Sequence, residues 1–322
     1  MAADDRTGAF EVAGLLAAVV GPVTVTVGEA PAGCGVVDLA TRALDVAAAA
    51  AAAAAVERTP SRWAAHKIDS TLRGNWAAEL TARLGASGRR LVLLPGWPEL
   101  GRTCVDGVVH VHGEPVGSPL DQLPGAELLG DTHALRRWLS GDCAVAVCDV
   151  PDTAAMHALA GALAGADVLV AGPGGPIGAA FAARSTTHVD PAQAPPVAGA
   201  TLVVCGSANP VSREQLERLA AARPEIRVIA GPAADGPLHA DVARAVALEA
   251  HTIVDAMRPD VVVILGGDTA AAVLGDEPRQ VGGFAAPGMP WSRDAHGGGP
   301  LVITQAGGFG GPDALVALLS AG

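Results

Sequence analysis

The chain has no tyrosine, and aromatic residues make up only 3% of its 322 positions. Charge is also sparse: 17% of residues are Asp, Glu, Lys or Arg, where about 25% is usual. What charge there is leans acidic, for a formal net charge of −12. No cluster of Lys and Arg is large enough to neutralise a row of phosphates, which argues against a nucleic-acid partner. No apolar run reaches the ~20 residues of a membrane span, so a membrane is not an expected partner. The start, "MAADDRTGAF", lacks the basic residues and apolar core of a signal peptide. The five cysteines (Cys34, Cys104, Cys143, Cys148 and Cys205) are odd in number and form no CxxC pair. A disulfide framework and a zinc cage are therefore not expected, and a reducing cytoplasm is the expected compartment.

Half the residues are hydrophobic, mostly Ala, Val and Leu. Small side chains suit tightly packed α/β layers, although a biased genome gives the same composition. The length allows about two domains. Apolar strand-like runs recur at 23–27, 62–68, 90–95, 144–150, 167–172, 201–206, 226–231, 260–267 and 301–308. Most are continuous rather than alternating, as in parallel strands covered on both faces. Between them lie helical stretches such as "EVAGLLAAVV", "NWAAELTARL", "SREQLERLAAA" and "VARAVALEAHTIVDAM". The Ala tract at 47–55 reads as helix on propensity. The expected fold is α/β, with two doubly wound domains, largely parallel sheets and an active-site cleft between them. The Pro- and Ala-rich "DPAQAPPVAGA" (190–200) lacks periodicity and sits before a new strand. It divides the chain into 1–190, a linker at 191–200, and 201–322.

Such sheets bind ligands beyond the carboxyl ends of their strands, so the unusual residues at those ends matter most. Asp4 and Asp5 precede Thr7-Gly8 and a helix. Adjacent carboxylates there could hold a metal or take a proton from a substrate hydroxyl, or Asp could simply cap the helix. "KIDSTLRGN" (67–75) crowds Lys67, Asp69, Ser70, Thr71, Arg73 and Asn75 together in a chain poor in charge. Lys and Arg could grip a carboxylate while Asp69 and the hydroxyls meet OH groups; the plainer reading is a capped helix with a surface ion pair. Arg102 and Thr103 follow a Pro-rich turn and would add a second basic group.

Two later strands end in glycine. One runs into Gly266-Gly267-Asp268-Thr269, the other into Gly307-Gly308-Phe309-Gly310-Gly311. Glycine lets the backbone approach a phosphate, and a helix N-terminus supplies N–H donors. A plain strand-to-helix joint explains either one, but the pair favours a nucleotide cradle. "CGSAN" (205–209), with Ser207, would contact adenosine or ribose, whereas "AGPGGPIG" (171–178) reads as a tight structural turn. The nine histidines form no metal pattern. His110 and His112 fit a strand with one exposed face.

With these motifs assembled, the chain resembles the four-carbon acid sugar kinase family nearly end to end. The resemblance rests on Asp4-Asp5-Arg6-Thr7-Gly8-Ala9, on the hallmark at 67–75, and on Gly101-Arg102-Thr103. In the second half it rests on Gly266 to Thr269, Ala286 to Trp291 and Gly307 to Gly310. It implies an N-terminal domain binding the acid sugar and a C-terminal domain binding ATP with Mg²⁺. The implied reaction, in carbohydrate metabolism, phosphorylates a hydroxyl of threonate, erythronate or a 3-oxo-tetronate. The implied roles follow the motifs. Asp4 or Asp5 orients or deprotonates the attacking hydroxyl, with Asp268 competing as base or metal ligand; the metal ligands otherwise stay unassigned. Lys67, Asp69, Ser70, Arg73 and Arg102 hold the acid. Gly266, Gly267, Asp268, Thr269, Gly307 and Gly308 face the nucleotide phosphates, and Ser207 makes a further nucleotide contact. Besides the small-molecule sugar acid, a second copy of the chain, as a homodimer, is the expected partner.

Three departures from the family pattern stand out. Only three residues precede Asp4, leaving almost no first strand. Gln305-Ala306 replace a Lys-Ser, removing a charge expected to face phosphate. The stretch between Ser207 and Gly266 is short by about one strand–helix unit. These departures keep a non-catalytic or degenerate sensor of sugar acid or nucleotide as the alternative. An NAD(P)-linked oxidoreductase is disfavoured, because no strand leads into G-x-G-x-x-G with an acidic residue about 20 positions on.

Overall fold

The computed structural model describes residues 1–187, 189–190, 192–232 and 240–320. Position 191 of the expected linker lies outside them, as does the chain end at 321–322. The fold is α/β. A 14-stranded sheet runs through the molecule and a three-stranded sheet stands beside it. Every expected strand forms within its predicted range. Thr201–Cys205, Val261–Leu265, Leu301–Gln305 and Val168–Gly172 are buried at every position, which explains their continuous apolar runs.

The large sheet has three parts. Eight parallel strands come from the first 172 residues, in the order Val23–Val27, Gly35–Asp38, Ala2–Ala3, Ala64–Lys67, Val168–Gly172, Arg90–Leu93, Val145–Cys148 and Glu127–Leu129. Four parallel strands at the other edge, Arg227–Ala230, Thr201–Cys205, Val261–Leu265 and Leu301–Gln305, come from the second half. An antiparallel hairpin, Arg279–Ala286 with Met289–Asp294, joins the two blocks by pairing with Val23–Val27 on one side and Leu301–Gln305 on the other. The halves are thus connected by backbone hydrogen bonds as well as by the chain near 190–200. A second tie is Arg6, ion-paired with buried Asp38 at 2.7 Å and donating to the Gly275 carbonyl at 2.9 Å.

The hairpin is absent from the sequence reading for a physical reason. Its first strand carries Gly282, where a Cβ would lie 2.0 Å from the Trp291 ring. The indole occupies the place of a side chain, so no alternating pattern survives. Gly35–Asp38 was likewise not anticipated, being a four-residue strand preceded by Pro31 and Gly33. Of the small sheet of Arg102–Val105, Val108–Val111 and Glu114–Gly117, only the strand carrying His110 was anticipated.

Two expectations are corrected. The glycines of "AGPGGPIG" are not a tight turn, because Gly174–Arg184 is a helix starting directly after its strand. His110 does lie on a strand, but His112 sits in the following turn at φ +51°. The first strand is short, as expected, yet it forms. Ala3 pairs with both Asp38 and Lys67. That register delivers Asp4 and Asp5 to the strand ends beside Lys67.

Candidate active site

The carboxyl ends of both parallel blocks open onto one cleft of about 700 Å³. In the second half, Cys205, Leu265 and Gln305 lie side by side in register. Their following residues, Gly206-Ser207, Gly266-Gly267 and Ala306-Gly307, therefore leave the sheet at one level and line the cleft together. Gly266 adopts φ +101°, a conformation that costs other residues strain. It lets the chain turn at once into the helix Gly267–Leu274, whose first N–H groups have no acceptor within the helix. The Gly206 N–H donates to Thr269 Oγ1 at 3.0 Å, fastening one loop to the helix of the next. The predicted nucleotide residues Ser207, Gly266, Gly267, Asp268, Thr269, Gly307 and Gly308 all line this wall.

Gln305 is elsewhere. Its side chain is buried beneath the last loop, where Nε2 donates to Gln215 Oε1 at 3.2 Å and to the Phe309 carbonyl. Gln215 in turn donates to the carbonyls of Phe309 and Gly311, each at 2.9 Å. Position 305 shapes the loop from below instead of facing the cleft.

The opposite wall is built from side chains. Lys67, Asp69, Ser70, Arg73 and Arg102 line it, as does Asp5. Asp69 accepts from the Thr71 N–H at 2.8 Å, from the Thr71 hydroxyl, and from Arg73 Nη2 at 2.6 Å. Burial acts against the Asp69 anion, but the Arg73 and Thr71 donors and the nearby Arg42 outweigh it and hold its carboxyl well below the usual range. Arg73 itself projects outward, with 70% of its side chain exposed. Arg102 begins the small sheet, and its buried Nε has no hydrogen-bond partner among the described residues.

The two aspartates differ. Asp5 caps the first helix, Arg6–Val20: Oδ1 accepts from the Gly8 N–H at 2.9 Å and Oδ2 from Thr7 Oγ1 at 2.9 Å. Capping and cleft lining coexist in this one residue. Burial is outweighed by Lys67, Arg42 and these donors, and the Asp5 carboxyl is held down. Asp4 does not line the cleft. It is 1% exposed, and burial pushes its carboxyl up against the pull of Lys67 and Arg42. Lys67 lies 3.7 Å from Asp4 and 3.5 Å from Asp5; these anions and Glu11 overcome burial and keep it protonated.

Two charged lining residues were missed. Arg42 meets Asp4 at 2.7 Å, Asp5 at 2.8 Å and Asp69 at 3.6 Å. It belongs to an undistinguished "ATRALD" and reaches its partners only through the fold. Glu11, on the first helix, has no hydrogen bond or ion pair among the described residues. Burial, reinforced by Asp5 and Asp69 against Lys67 and Arg102, pushes its carboxyl up to about 7. A signal for Glu11 was present: it stands four residues after Thr7, on the same helical face.

The fold and site define an α/β protein with an ion-paired pocket facing a glycine-built wall of backbone donors. A model of the sugar-binding N-terminal domain matches residues 1–124. The D-threonate kinase of Bordetella bronchiseptica is 30% identical over 323 aligned positions, covering 78% of this chain and 75% of that one. The D-threonate kinase of Cupriavidus necator is 39% identical over 124 positions, 35% of this chain and only 30% of the relative's length. Among solved structures, Haemophilus influenzae protein HI1011, of family DUF1537, superposes with a TM-score of 0.72 at 18% identity, covering 99% of this chain and 98% of that one. A Bordetella bronchiseptica protein of that family, a domain-swapped dimer with bound citrate, gives 0.51 at 26% identity, covering 99% and 97%. The chain belongs to the four-carbon acid sugar kinase family. No helix among its described residues is long and apolar enough to cross a membrane.

Proposed function

We propose that the chain is an ATP-dependent kinase that phosphorylates a hydroxyl of a small hydroxy acid such as threonate. The observation that carries this reading is the shared cleft, in which an ion-paired, hydroxyl-bearing wall and a glycine-built wall face each other across one space. The names of the relatives support a sugar-acid kinase, and the citrate held by the Bordetella protein fits a pocket that selects hydroxylated carboxylates.

Arg102, Lys67 and Arg73 neutralise the carboxylate of the acid, while Ser70 and Asp69 meet its hydroxyls. Glu11, without a hydrogen-bond partner among the described residues, takes a further hydroxyl. The backbone N–H groups after Gly206, Gly266 and Gly307 receive the phosphates of ATP. The fit is close at Gly267, where a Cβ would lie 3.1 Å from Asp5 Oδ2 and 3.3 Å from Thr7 Oγ1; a side chain there would fill the cradle. Magnesium asks for only one or two carboxylates besides phosphate oxygens, and Asp268, exposed in the first turn of the glycine helix, would supply one. Bound there, the ion would offset phosphate charge.

In the reaction, a hydroxyl oxygen of the acid bonds to the terminal phosphorus as the bond to the bridging oxygen breaks. ADP leaves, and the hydroxyl proton passes to Asp5. Asp5 suits the task by position, because it lines the cleft beside Gly267. Its lowered basicity fits a transfer in which positioning and charge stabilisation dominate. Asp4, outside the cleft, keeps Lys67 and Arg42 in place.

The test is ADP release over a panel of four-carbon hydroxy acids, with thermal stabilisation measured in parallel. Turnover with at least one acid is expected. Stabilisation by an acid without ADP release would instead make the chain a sensor.

A further inference from the structure

The two walls differ in charge. Among the described residues that line the cleft between Gly206 and Phe309 none is Lys or Arg, and the one charged group among them is Asp268. Side-chain cations that meet a phosphate in transit therefore come from the front wall, in addition to any magnesium ion held at Asp268. That wall offers four: Arg42, Lys67, Arg73 and Arg102.

Their positions differ. Arg73 is turned outward on Asp69. Arg102 stands at the foot of the small sheet, where its Nη1 is bonded to the Leu100 carbonyl. Lys67 Nζ approaches the Oδ1 atoms of Asp4 and Asp5 and lies under the first helix, 2.4 Å from where a Cβ on Gly8 would be. Arg42 alone approaches the other oxygen of Asp5: its Nη1 is 2.8 Å from Asp5 Oδ2, the atom that abuts Gly267 at the start of the glycine helix. Its guanidinium therefore borders the place where the acid wall meets the phosphate wall.

The backbone around Arg42 is pinned. The Thr41 N–H donates to the Asp4 carbonyl at 3.1 Å, and Asn75 Nδ2 donates to the carbonyls of Thr41 and Leu44 at 3.0 and 2.9 Å. The side chain is freer, 31% exposed and facing the cleft. A planar guanidinium has five donors, enough to hold Asp4 and Asp5 and still offer an N–H to a further anion. Its third carboxylate, Asp69, lies at 3.6 Å, beyond hydrogen-bond range, and already has Arg73 as its partner.

We propose that Arg42 is a catalytic residue of the phosphoryl transfer, donating to the phosphoryl group as it passes from the bridging oxygen of ADP to the hydroxyl of the acid. Arg42 neither takes nor gives a proton, which goes to Asp5. It supplies, from the acid-binding half, the positive charge that the glycine-built half lacks. This inference rests on the kinase reading above and deepens it.

The test uses the full chain with Arg42→Lys and Arg42→Ala. With the acid that the wild type phosphorylates, kcat is expected to fall at least about a hundredfold in both variants, while KM for ATP and for the acid changes by less than about threefold. A readout independent of turnover is calorimetric binding of ADP with aluminium fluoride and the acid, which mimics the phosphoryl group in flight. The wild type is expected to hold this mixture more tightly than ADP alone, and Arg42→Lys to lose the gain while binding ADP as before. Guanidinium ion at millimolar concentration should restore part of the activity of Arg42→Ala. If Arg42 only neutralises its carboxylates, Arg42→Lys will keep its kcat and its aluminium fluoride complex, and the proposal is overturned. If Arg42→Ala fails to fold, Arg42→Lys carries the test. A wild type that transfers phosphate to no acid overturns the kinase reading itself, an outcome distinct from an active wild type with unaffected variants.

Discussion

The front wall of the cleft works with side chains, the back wall with backbone. In front, Asp4, Asp5 and Asp69 interlock with Lys67, Arg42 and Arg73 at 2.6 to 3.7 Å. In the back, Gly206, Gly266, Gly267, Gly307 and Gly308 keep side chains out of the way. The difference matches the ligands proposed for each. A hydroxy acid is read atom by atom, by groups that distinguish carboxylate from hydroxyl. A polyphosphate is repetitive and is met by repeated N–H donors. Single substitutions should therefore act differently on the two walls: in front they remove chemistry, in back they add obstruction.

Asp5→Asn should have the largest effect. It keeps the shape of the helix cap but removes the proton acceptor, and kcat should fall by about a thousandfold with KM for ATP nearly unchanged. Steady-state kinetics check this, and a raised KM at normal kcat would move Asp5 from chemistry to binding. Gly267→Val is the counterpart on the back wall. Its side chain would enter the space held by Asp5 and Thr7 at 3.1 and 3.3 Å. Nucleotide binding should weaken at least about thirtyfold, by about 2 kcal/mol or more, while thermal stabilisation by the acid persists. Equal loss of both ligands would mean the walls are not separable. Arg73→Ala should raise KM for the acid more than about tenfold and leave ATP binding intact; an unchanged KM removes Arg73 from the acid clamp.

Glu11 gives the smallest effect, on stability and its pH dependence. Its carboxyl gives up a proton near 4.5 when unfolded but only near 7 in the folded chain. The fold therefore binds the extra proton between these values, and stability falls as pH rises through that window. The contribution is whole below about 4.5 and gone above about 7. Glu11→Gln should match the wild type near pH 4 and be more stable above pH 7, by about 1–2 kcal/mol, less than the full shift because the side chain is partly exposed to solvent. Melting curves across pH check this, and identical slopes would contradict the assignment.

Much of this was legible in the sequence because local chemistry and fold agree. Buried parallel strands need continuous apolar runs, and 201–206, 260–267 and 301–308 have them. Strand ends that carry glycine or clustered charge stand out in a chain poor in charge, so nearly all the lining residues proposed from the motifs meet in one cleft. What escaped depends on distant partners. The 279–294 hairpin looks unlike a strand because Trp291 takes the space above Gly282. Arg42 is ordinary until the short strand Ala2–Ala3, inserted between Gly35–Asp38 and Ala64–Lys67, brings Asp4 and Asp5 to it. Gln305 was legible only as the absence of a Lys; that its side chain turns under the loop to the Phe309 carbonyl depends on the fold.

The most direct test of the central claim follows the phosphorus atom itself. ³¹P NMR of the chain with ATP, magnesium and D-threonate, or the four-carbon acid giving the fastest ADP release, should show the terminal phosphate of ATP disappearing as a phosphate ester of the acid appears in equal amount. Loss of that phosphate only to inorganic phosphate, or no loss with any acid that binds, would contradict transfer across this cleft.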